Sequence, residues 1–310
     1  MDTAAHPGTG RIGVGVADTP GGLAALSWAV EETAARGGTL AICHVRRDGD
    51  PDRAATGLAA LELTEPDLAR HIRAARQRLD RRTAVALPAG DPVGALLELS
   101  GELDLLVVGG HEGGDPLHHS VPTRLAARAP CPVVVVRPVS GHGPFAGHVV
   151  VGTDGSAAAA AALRAGFAHA ELHAVPLAVV EVDVRHTGDD YWFDDRFLET
   201  HFTAVPAPLV TLAEQVEPLV ARHPSVAVKR AVYGGDPVHG LRRAAAGAAL
   251  LVLGRHGRPM PAVLRLGSVS RAFAEHGDGV VQIVPERVAV RAARTPAGGT
   301  FSRAVDRPPR

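Results

Sequence analysis

The chain carries one pattern twice, and this duplication limits its fold more than any other feature of the sequence. The segment RIGVGVADTPGGLAALSWAVEE, which begins at Arg11, resembles HVVVGTDGSAAAAAALRAGFAH, which begins at His148. Later in each half the tetrapeptide GDPV occurs, first at Gly90–Val93 and again at Gly235–Val238. A third similarity links TRLAARAPCPVVVV with SRAFAEHGDGVVQIV. Self-similarity over this length indicates two copies of one structural unit.

The order of apolar runs within each copy predicts an α/β fold. Continuous runs of Val, Leu and Ile alternate with Ala-, Leu- and Arg-rich segments at helical spacing, such as 156–172 and 237–247. Strands that are apolar throughout are typical of parallel sheets covered by helices on both faces. We therefore predict two tandem, doubly wound sheets, each with five mainly parallel strands. In the second copy the predicted strands are 149–153, 177–182, 226–232, 250–254 and 280–284.

The repeat also predicts how the chain is divided. The apolar fifth strands of the two copies, 132–138 and 279–286, are expected to pair with each other, because an exposed apolar edge promotes aggregation. This pairing would make the molecule an internal pseudo-dimer, which an extended linker of about ten residues can span. The predicted segments are a first copy at 10–137, a Pro- and Gly-rich linker at 138–147, a second copy at 148–286 and a basic, disordered tail at 287–310.

Composition excludes several classes of protein. A chain of 310 residues with 46% hydrophobic content can form two cores. Its formal net charge of −1 gives no overall attraction to nucleic acid or to a membrane surface. The N-terminus, MDTAAHPGTG, lacks the features of a signal peptide, and no apolar stretch reaches membrane-spanning length. Cys43 and Cys131 lie in apolar runs, as buried thiols do in a reducing compartment. These features predict a cytoplasmic location and no specific nucleic-acid or membrane partner.

One motif in the second copy has the chemistry of a nucleotide site. The stretch GRHGRPMPAVLRLGSVSR places Gly254, Gly257 and Gly267–Ser268 just after an apolar strand. Glycines at such points allow tight turns and bring backbone amides close to an anion. The second half of the motif begins a helix, whose unpaired amides and positive dipole end favour phosphate. Asp154 and Val182 are expected at the same edge of the sheet, where a carboxylate accepts hydrogen bonds from a nucleoside and a valine packs on a purine.

The G-x2-G-x9-G-S spacing, with VVVGTDGS at the start of the copy and GDPV further on, resembles the ATP-binding type of the universal stress protein family in its tandem form. The resemblance covers both halves. It implies ATP with Mg²⁺ as ligand, a regulatory role in stress or dormancy, and no defined catalytic reaction. It also implies an internal pseudo-dimer, with a further homodimer or an unidentified regulatory protein as partner. With the flanking loop residues included, the candidate nucleotide contacts are Gly152, Asp154, Val182, Gly254, Arg255, His256, Gly257, Arg258, Gly267, Ser268, Val269 and Ser270.

The first copy departs from this motif. Where the second copy has TDGS at Thr153–Ser156, the first has VADT at Val16–Thr19, so the carboxylate is shifted by one position. On a strand, a shift of one residue turns a side chain to the other face. In the later loop Glu112 replaces the second glycine, and Ser120–Val121 stand where Gly and Ser are required. The first copy is therefore predicted to keep the fold and to have lost the site.

The segment 181–205 lengthens one connection of the second copy and concentrates aromatic residues. The preferred interpretation is a helix extension that packs Trp192, Phe193 and Phe197 on the neighbouring copy. The alternative is a lid over the nucleotide or a surface for a partner.

Charged residues near the motif also leave interpretations open. Arg255, Arg258 and Arg265 either steer phosphate into the site or form the charged surface of a loop. The loop histidines at 111, 118 and 119 lack a recognised metal-ligand spacing. His169 and His173 stand near the C-terminal end of a predicted helix, where histidine is favoured. No metal ligand is predicted.

The sequence leaves two main classes of function open, and an enzyme is a third, less favoured class. The first is an ATP-dependent regulator, and the second is a structural pseudo-dimer whose motif is inherited and empty. An ATP-pyrophosphatase-type enzyme requires a fuller Ser-Gly-Gly-x-Asp-Ser loop than Gly155–Ser156 provide. No catalytic residue is predicted, and weak ATP hydrolysis stays open.

Overall fold

The computed structural model describes residues 10–46, 58–110, 120–184, 191–194, 207–256 and 266–286. These residues form a repeating alternation of strands and helices, with one short 3₁₀ turn at Asp80–Arg82. The strands are β1 (Arg11–Val16), β2 (Thr39–His44), β3 (Thr83–Ala86), β4 (Leu105–Gly109), β5 (Val133–Val136), β6 (Val149–Thr153), β7 (Leu177–Asp183), β8 (Tyr191–Asp194), β9 (Val228–Gly234), β10 (Leu250–Gly254) and β11 (Val280–Val284). The helices are α1 (Pro20–Arg36), α2 (Leu58–Thr64), α3 (Pro66–Leu79), α4 (Pro92–Ser100), α5 (Val121–Arg128), α6 (Ala157–His173), α7 (Ala207–Val220), α8 (Pro237–Ala245) and α9 (Ser268–His276).

The repeated GDPV tetrapeptide starts the same helix in each copy. Gly90 and Gly235 have φ of 112° and 96°, a region in which glycine is favoured because it lacks a Cβ. The aspartate that follows is the N-cap: Asp91 accepts from the Gly94 amide at 3.0 Å, and its counterpart before α8 accepts in the same way. Proline then occupies the first helical position, where its missing N–H costs nothing.

All described strands lie in one sheet, in the order β3-β2-β1-β4-β5-β11-β10-β6-β7-β9-β8. Each half has five parallel strands, and the two halves meet where β5 pairs antiparallel with β11, with Val136 opposite Val280 and Val133 opposite Ile283. The predicted α/β class and the predicted pairing of the fifth strands are therefore confirmed. Joining these two edges gives each apolar edge strand a hydrogen-bonding partner.

Helices of the two copies pack against each other on both sides of this central seam. On one face of the sheet α1 contacts α6, and on the other face α5 contacts α9. The linker also packs: Phe145 is fully buried, and Gly143 and Gly147 donate to the carbonyls of Ala246 and Gly247, each at 2.8 Å. The two copies therefore form one body in which equivalent helices meet across the seam.

The aromatic segment of the second copy contradicts the preferred sequence interpretation. Residues 191–194 form an edge strand, antiparallel to β9 with Trp192 opposite Ala231, and not a helix extension. This strand lies at the end of the sheet farthest from the first copy, so its backbone does not pack on that copy. Aromatic residues favour strands, and the pairing covers an edge of β9 that would otherwise be open. Phe197 lies outside the described residues.

Both cysteines are buried free thiols, as their sequence context predicts. Burial raises the pKa of Cys43 to about 11 and that of Cys131 to about 12. Both thiols are therefore protonated at neutral pH, and we interpret them as packing residues. Among the described helices, none is long and apolar enough to cross a bilayer.

Candidate functional site

The sheet topology brings the parts of the motif to one edge. Strand β6 lies between β10 and β7, at the point where the strand order changes direction in the second copy. The carboxyl ends of these parallel strands carry Gly254, the turn at Asp154 and, near the end of β7, Val182. Helix α9 begins at this edge as well, because a hydrogen bond joins its first turn to the end of β10. A crevice at such a switch point is the usual ligand position of parallel sheets.

Asp154 shapes the turn between β6 and α6. One of its carboxylate oxygens accepts from the Ser156 amide at 3.0 Å, and Gly155 adopts a φ of 76° between them. Ser156 then caps α6 by accepting from the Ala159 amide at 3.1 Å. Asp154 is half-buried, and the turn holds its carboxylate at this edge of the sheet.

The first glycine of the motif is required by packing. Gly254 does not have a positive φ, but a Cβ at this position would lie 2.7 Å from the carbonyl carbon of Ala158 in α6. The same close approach occurs in the first copy, where a Cβ on Gly109 would lie 2.4 Å from the carbonyl carbon of Gly21. This glycine lets the first helix of each copy sit directly on its fourth strand. Its presence alone therefore does not distinguish a nucleotide site.

Gly152 has a similar packing role near the carboxyl end of β6. A Cβ there would lie 2.7 Å from Leu253 and 3.1 Å from Leu241, both in the core beneath the sheet. Val182 packs on the same side, against the bare backbone of Gly240, and is half-buried. It is therefore placed to present an apolar surface near the crevice.

The N-terminus of α9 is the part of the site best suited to an anion. Its N-cap is Gly267, which has no side chain to bond the first-turn amides, and φ and ψ there are −63° and 156°. Ser268 is exposed and Val269 is half-buried, whereas Ser270 is buried and its hydroxyl donates to the Gly254 carbonyl at 2.6 Å. Because uncapped amides and the helix dipole both attract negative charge, this end favours phosphate.

Arg255 and His256 follow β10 and lead toward the loop. The Arg255 guanidinium donates to the carbonyl of Ala129, at the C-terminal end of α5 in the first copy, and its backbone carbonyl accepts from the Gly267 amide at 2.9 Å. Burial lowers the pKa of Arg255 to about 10. Burial, and next the charge of Arg255, lower the pKa of His256, which favours a neutral ring. Arg255 thus joins the site to the seam, and its guanidinium is directed to the seam. Gly257, Arg258 and Arg265 lie outside the described residues.

The corresponding edge of the first copy differs from this site in its turn and in the start of its helix, although the N-cap of α5 also makes no side-chain bond to the first-turn amides. Strand β1 ends at Val16, so Asp18 lies in the exposed turn beyond the strand, and the expected reversal of strand face does not apply there. Helix α5 has Pro122 in its first turn, which removes one amide donor. Its N-cap, Ser120, shares a hydrogen bond with Thr123 at 2.9 Å. The proline was visible in the sequence but is informative only once the helix start is known.

The profile of the universal stress protein family matches residues 8–137 and 146–285, which together make up most of the chain. The chain belongs to the universal stress protein family. A universal stress protein of Mycobacterium tuberculosis is 33% identical over 208 residues, which are 62% of this chain and 66% of that relative. The alignment thus spans slightly less than two thirds of the relative's length. A second universal stress protein of the same species is 28% identical over 291 residues, 84% of this chain and 92% of its own.

A solved structure shares the fold of this universal stress protein. The crystal structure of a universal stress protein from Archaeoglobus fulgidus superposes with a TM-score of 0.61, covering 90% of this chain and 97% of the other. Sequence identity in that superposition is 15%, so the likeness concerns the fold. It supports the tandem arrangement found here.

Proposed function

We propose that the second copy binds one ATP, with Mg²⁺ on its phosphates, and that the chain acts as a nucleotide-dependent regulator. One observation carries this proposal: the turn that contains the Asp154 carboxylate and the uncapped N-terminus of α9 lie at the same edge of the sheet. Asp154 and Val182 provide a polar and an apolar contact suited to a nucleoside. The amides at the start of α9 provide the phosphate end.

The phosphates are assigned to α9 by charge. The ionised carboxylate of Asp154 accepts hydrogen bonds and repels phosphate, so it belongs with the sugar or base. We propose that Gly257 and Arg258, which follow β10 in the sequence and lie outside the described residues, also contact the triphosphate. This assignment places the nucleoside at Asp154 and the phosphates at α9, so substitutions at the two positions test the two ends of the ligand separately.

Titration of the full chain with ATP and Mg²⁺ in a calorimeter is expected to give one site. The reason is that the first copy has an exposed turn at Asp18 and a proline in the first turn of α5. Two equivalent sites per chain would contradict the assignment to the second copy. Complete absence of binding, with no thermal shift, would favour the structural pseudo-dimer. Phosphate release during a long incubation would reveal slow hydrolysis.

Asp154→Ala is expected to weaken ATP, ADP and AMP by similar factors, on the order of tenfold, because one charge-assisted hydrogen bond to the nucleoside is lost. Calorimetry with the three nucleotides measures this. Since Asp154 also holds its own turn, Asp154→Asn serves as the matched variant: it keeps an acceptor for the Ser156 amide while removing the charge.

The control in the first copy is Asp18→Ala, which should leave all three affinities unchanged. If Asp154→Ala weakens ATP strongly and leaves AMP untouched, the two ends of the ligand are reversed.

A further inference from the structure

A cluster of side chains whose types can bind a metal ion lies on the seam, away from the sheet edge proposed for the nucleotide. Glu32 of α1 and His169 and His173 of α6 bring their ligand atoms within 4.8 Å of one another. His173 Nε2 lies 2.7 Å from Glu32 Oε2, and His169 Nδ1 lies 3.4 Å from Glu32 Oε1. Glu32 is 1% exposed and His169 is 8% exposed, so two of the three groups are withdrawn from water.

The hydrogen bonds within the cluster are incomplete. Among the described residues, His169 Nδ1 is buried and has no hydrogen-bond partner, although it faces the carboxylate. A buried imidazole nitrogen without a partner is costly in a folded protein.

Two histidines four residues apart on one helix, with a carboxylate from elsewhere, form the ligand set of many zinc sites. The sequence alone does not show this set, because Glu32 and His173 are 141 residues apart.

We propose that Glu32, His169 and His173 bind a Zn²⁺ ion that joins the two copies, with the fourth position facing solvent beside His173. The side chain of His173 is 28% exposed, which provides a path of entry. Imidazole and carboxylate together suit zinc better than magnesium or calcium, which prefer oxygen ligands. Because the ligands come from both copies, the ion would cross-link α1 to α6. This inference is independent of nucleotide binding.

Arg36 opposes the cation and helps to define the test. Its guanidinium lies 2.5 Å from Glu32 Oε1, which leaves Oε2 and the imidazole nitrogens for the metal. An arginine there orients the carboxylate, but its positive charge also lowers the affinity for Zn²⁺. Arg36→Gln is therefore expected to bind Zn²⁺ more tightly than the wild type. An ion-pair cluster without metal predicts no such gain.

Trp28 provides a local signal. Its ring stacks on that of His169 with a centroid distance of 6.3 Å and an angle of 7°. The chain has two tryptophans, so a Trp192→Phe background leaves Trp28 as the only one. In chelator-treated protein of this background, Co²⁺ is expected to give the visible absorption of a tetrahedral site and to quench Trp28. Zn²⁺ should displace Co²⁺ and restore the fluorescence.

His173→Gln and Glu32→Gln are then compared with the wild type by Zn²⁺ titration. Loss of even an outer partner of a ligand costs about 10–100-fold in metal affinity, so we expect loss of a ligand to cost at least about a hundredfold. His173→Gln is the safer variant because this side chain is half-buried. The matched control is His223→Gln, which removes a histidine that pairs with Glu171 at 2.9 Å outside the cluster, and it should bind Zn²⁺ like the wild type.

The proposal also predicts that Zn²⁺ raises the melting temperature of the wild type and of His223→Gln, but not that of His173→Gln. Because the chain has 16 histidines, stoichiometry alone does not locate the ion. Equal Zn²⁺ affinity of the wild type and His173→Gln, or Co²⁺ binding that leaves Trp28 unquenched, would overturn the proposal.

Discussion

Replacing Gly267 with glutamate is expected to abolish ATP binding by the folded protein. The N-cap backbone has φ −63° and ψ 156°, a conformation that any L-residue adopts, so the substitution introduces no backbone strain. The new carboxylate can fold back onto the amides at the start of α9, as capping side chains do. It would occupy the proposed phosphate position and repel the phosphates. Like charges in direct contact cost several kcal/mol, so affinity should fall by more than about a hundredfold.

The position can be tested against its counterpart in the first copy. Ser120 is the N-cap of α5 and is equivalent to Gly267, so Ser120→Glu adds the same charge at the start of the equivalent helix in the first copy. Calorimetry should show no ATP binding by Gly267→Glu and normal binding by Ser120→Glu, with circular dichroism reporting that both variants are folded. Gly267→Ala should bind nearly as well as the wild type. Wild-type affinity in Gly267→Glu would show that the phosphates do not lie at α9.

Much of the fold could be predicted because it is encoded in local patterns that occur twice. Strands β6, β10 and β11 lie at the predicted residues, since continuous apolar runs specify buried parallel strands. The pairing of β5 with β11 followed from a general requirement, that apolar edges must be covered. These predictions needed no knowledge of which distant residues meet.

The features that were missed depend on contacts between distant parts of the chain. The motif suggested a tight turn at Gly254, whereas the glycine is needed because α6 sits on the strand end, which is visible only in three dimensions. Arg255 was a candidate for phosphate, yet its guanidinium reaches the carbonyl of Ala129 in the other copy. Residues 191–194 were predicted to extend a helix, whereas they form an edge strand on β9. Their aromatic side chains indicate burial, but the sequence does not show which strand they pair with.

Arg255 links the start of α9 to the first copy. Its backbone carbonyl accepts from Gly267 at the start of α9, while its side chain contacts the C-terminal end of α5 across the seam. Two hydrogen bonds, both made by Arg255, therefore connect the helix start proposed to bind phosphate with the interface between the copies. A ligand that moved this helix start would act on the seam through one residue.

Arg137→Ala is expected to cause the largest loss of stability among the substitutions considered. Arg137 follows β5 in the first copy, is 8% exposed, and sends its guanidinium to the C-terminal turn of α9 in the second copy. There it donates to the carbonyls of Phe273, Ala274, Glu275 and Gly277 at 3.3, 2.5, 3.1 and 3.1 Å. Ala274 and Glu275 lie in the last turn, whose carbonyls lack intrahelical partners, at the negative end of the helix dipole, whereas the Phe273 carbonyl also accepts from the Gly277 amide at 2.9 Å.

Truncating Arg137 would remove the charged donor from the carbonyls of Ala274 and Glu275, while that of Phe273 would keep the Gly277 amide, and it would open a gap at the seam. Hydrogen bonds to a charged group contribute more than neutral ones, so we expect a loss of about 2–4 kcal/mol in the free energy of unfolding, measured by denaturant titration. Arg137→Lys keeps the charge but not the planar guanidinium, so its free energy of unfolding should lie between those of the wild type and Arg137→Ala. The matched control is Arg78→Ala, which removes an exposed ion pair with Glu31 at 2.8 Å and should cost about 0.5 kcal/mol or less. If Arg137→Ala costs no more than Arg78→Ala, the buried arginine does not hold the two copies together, and β5–β11 pairing with helix packing must do so alone.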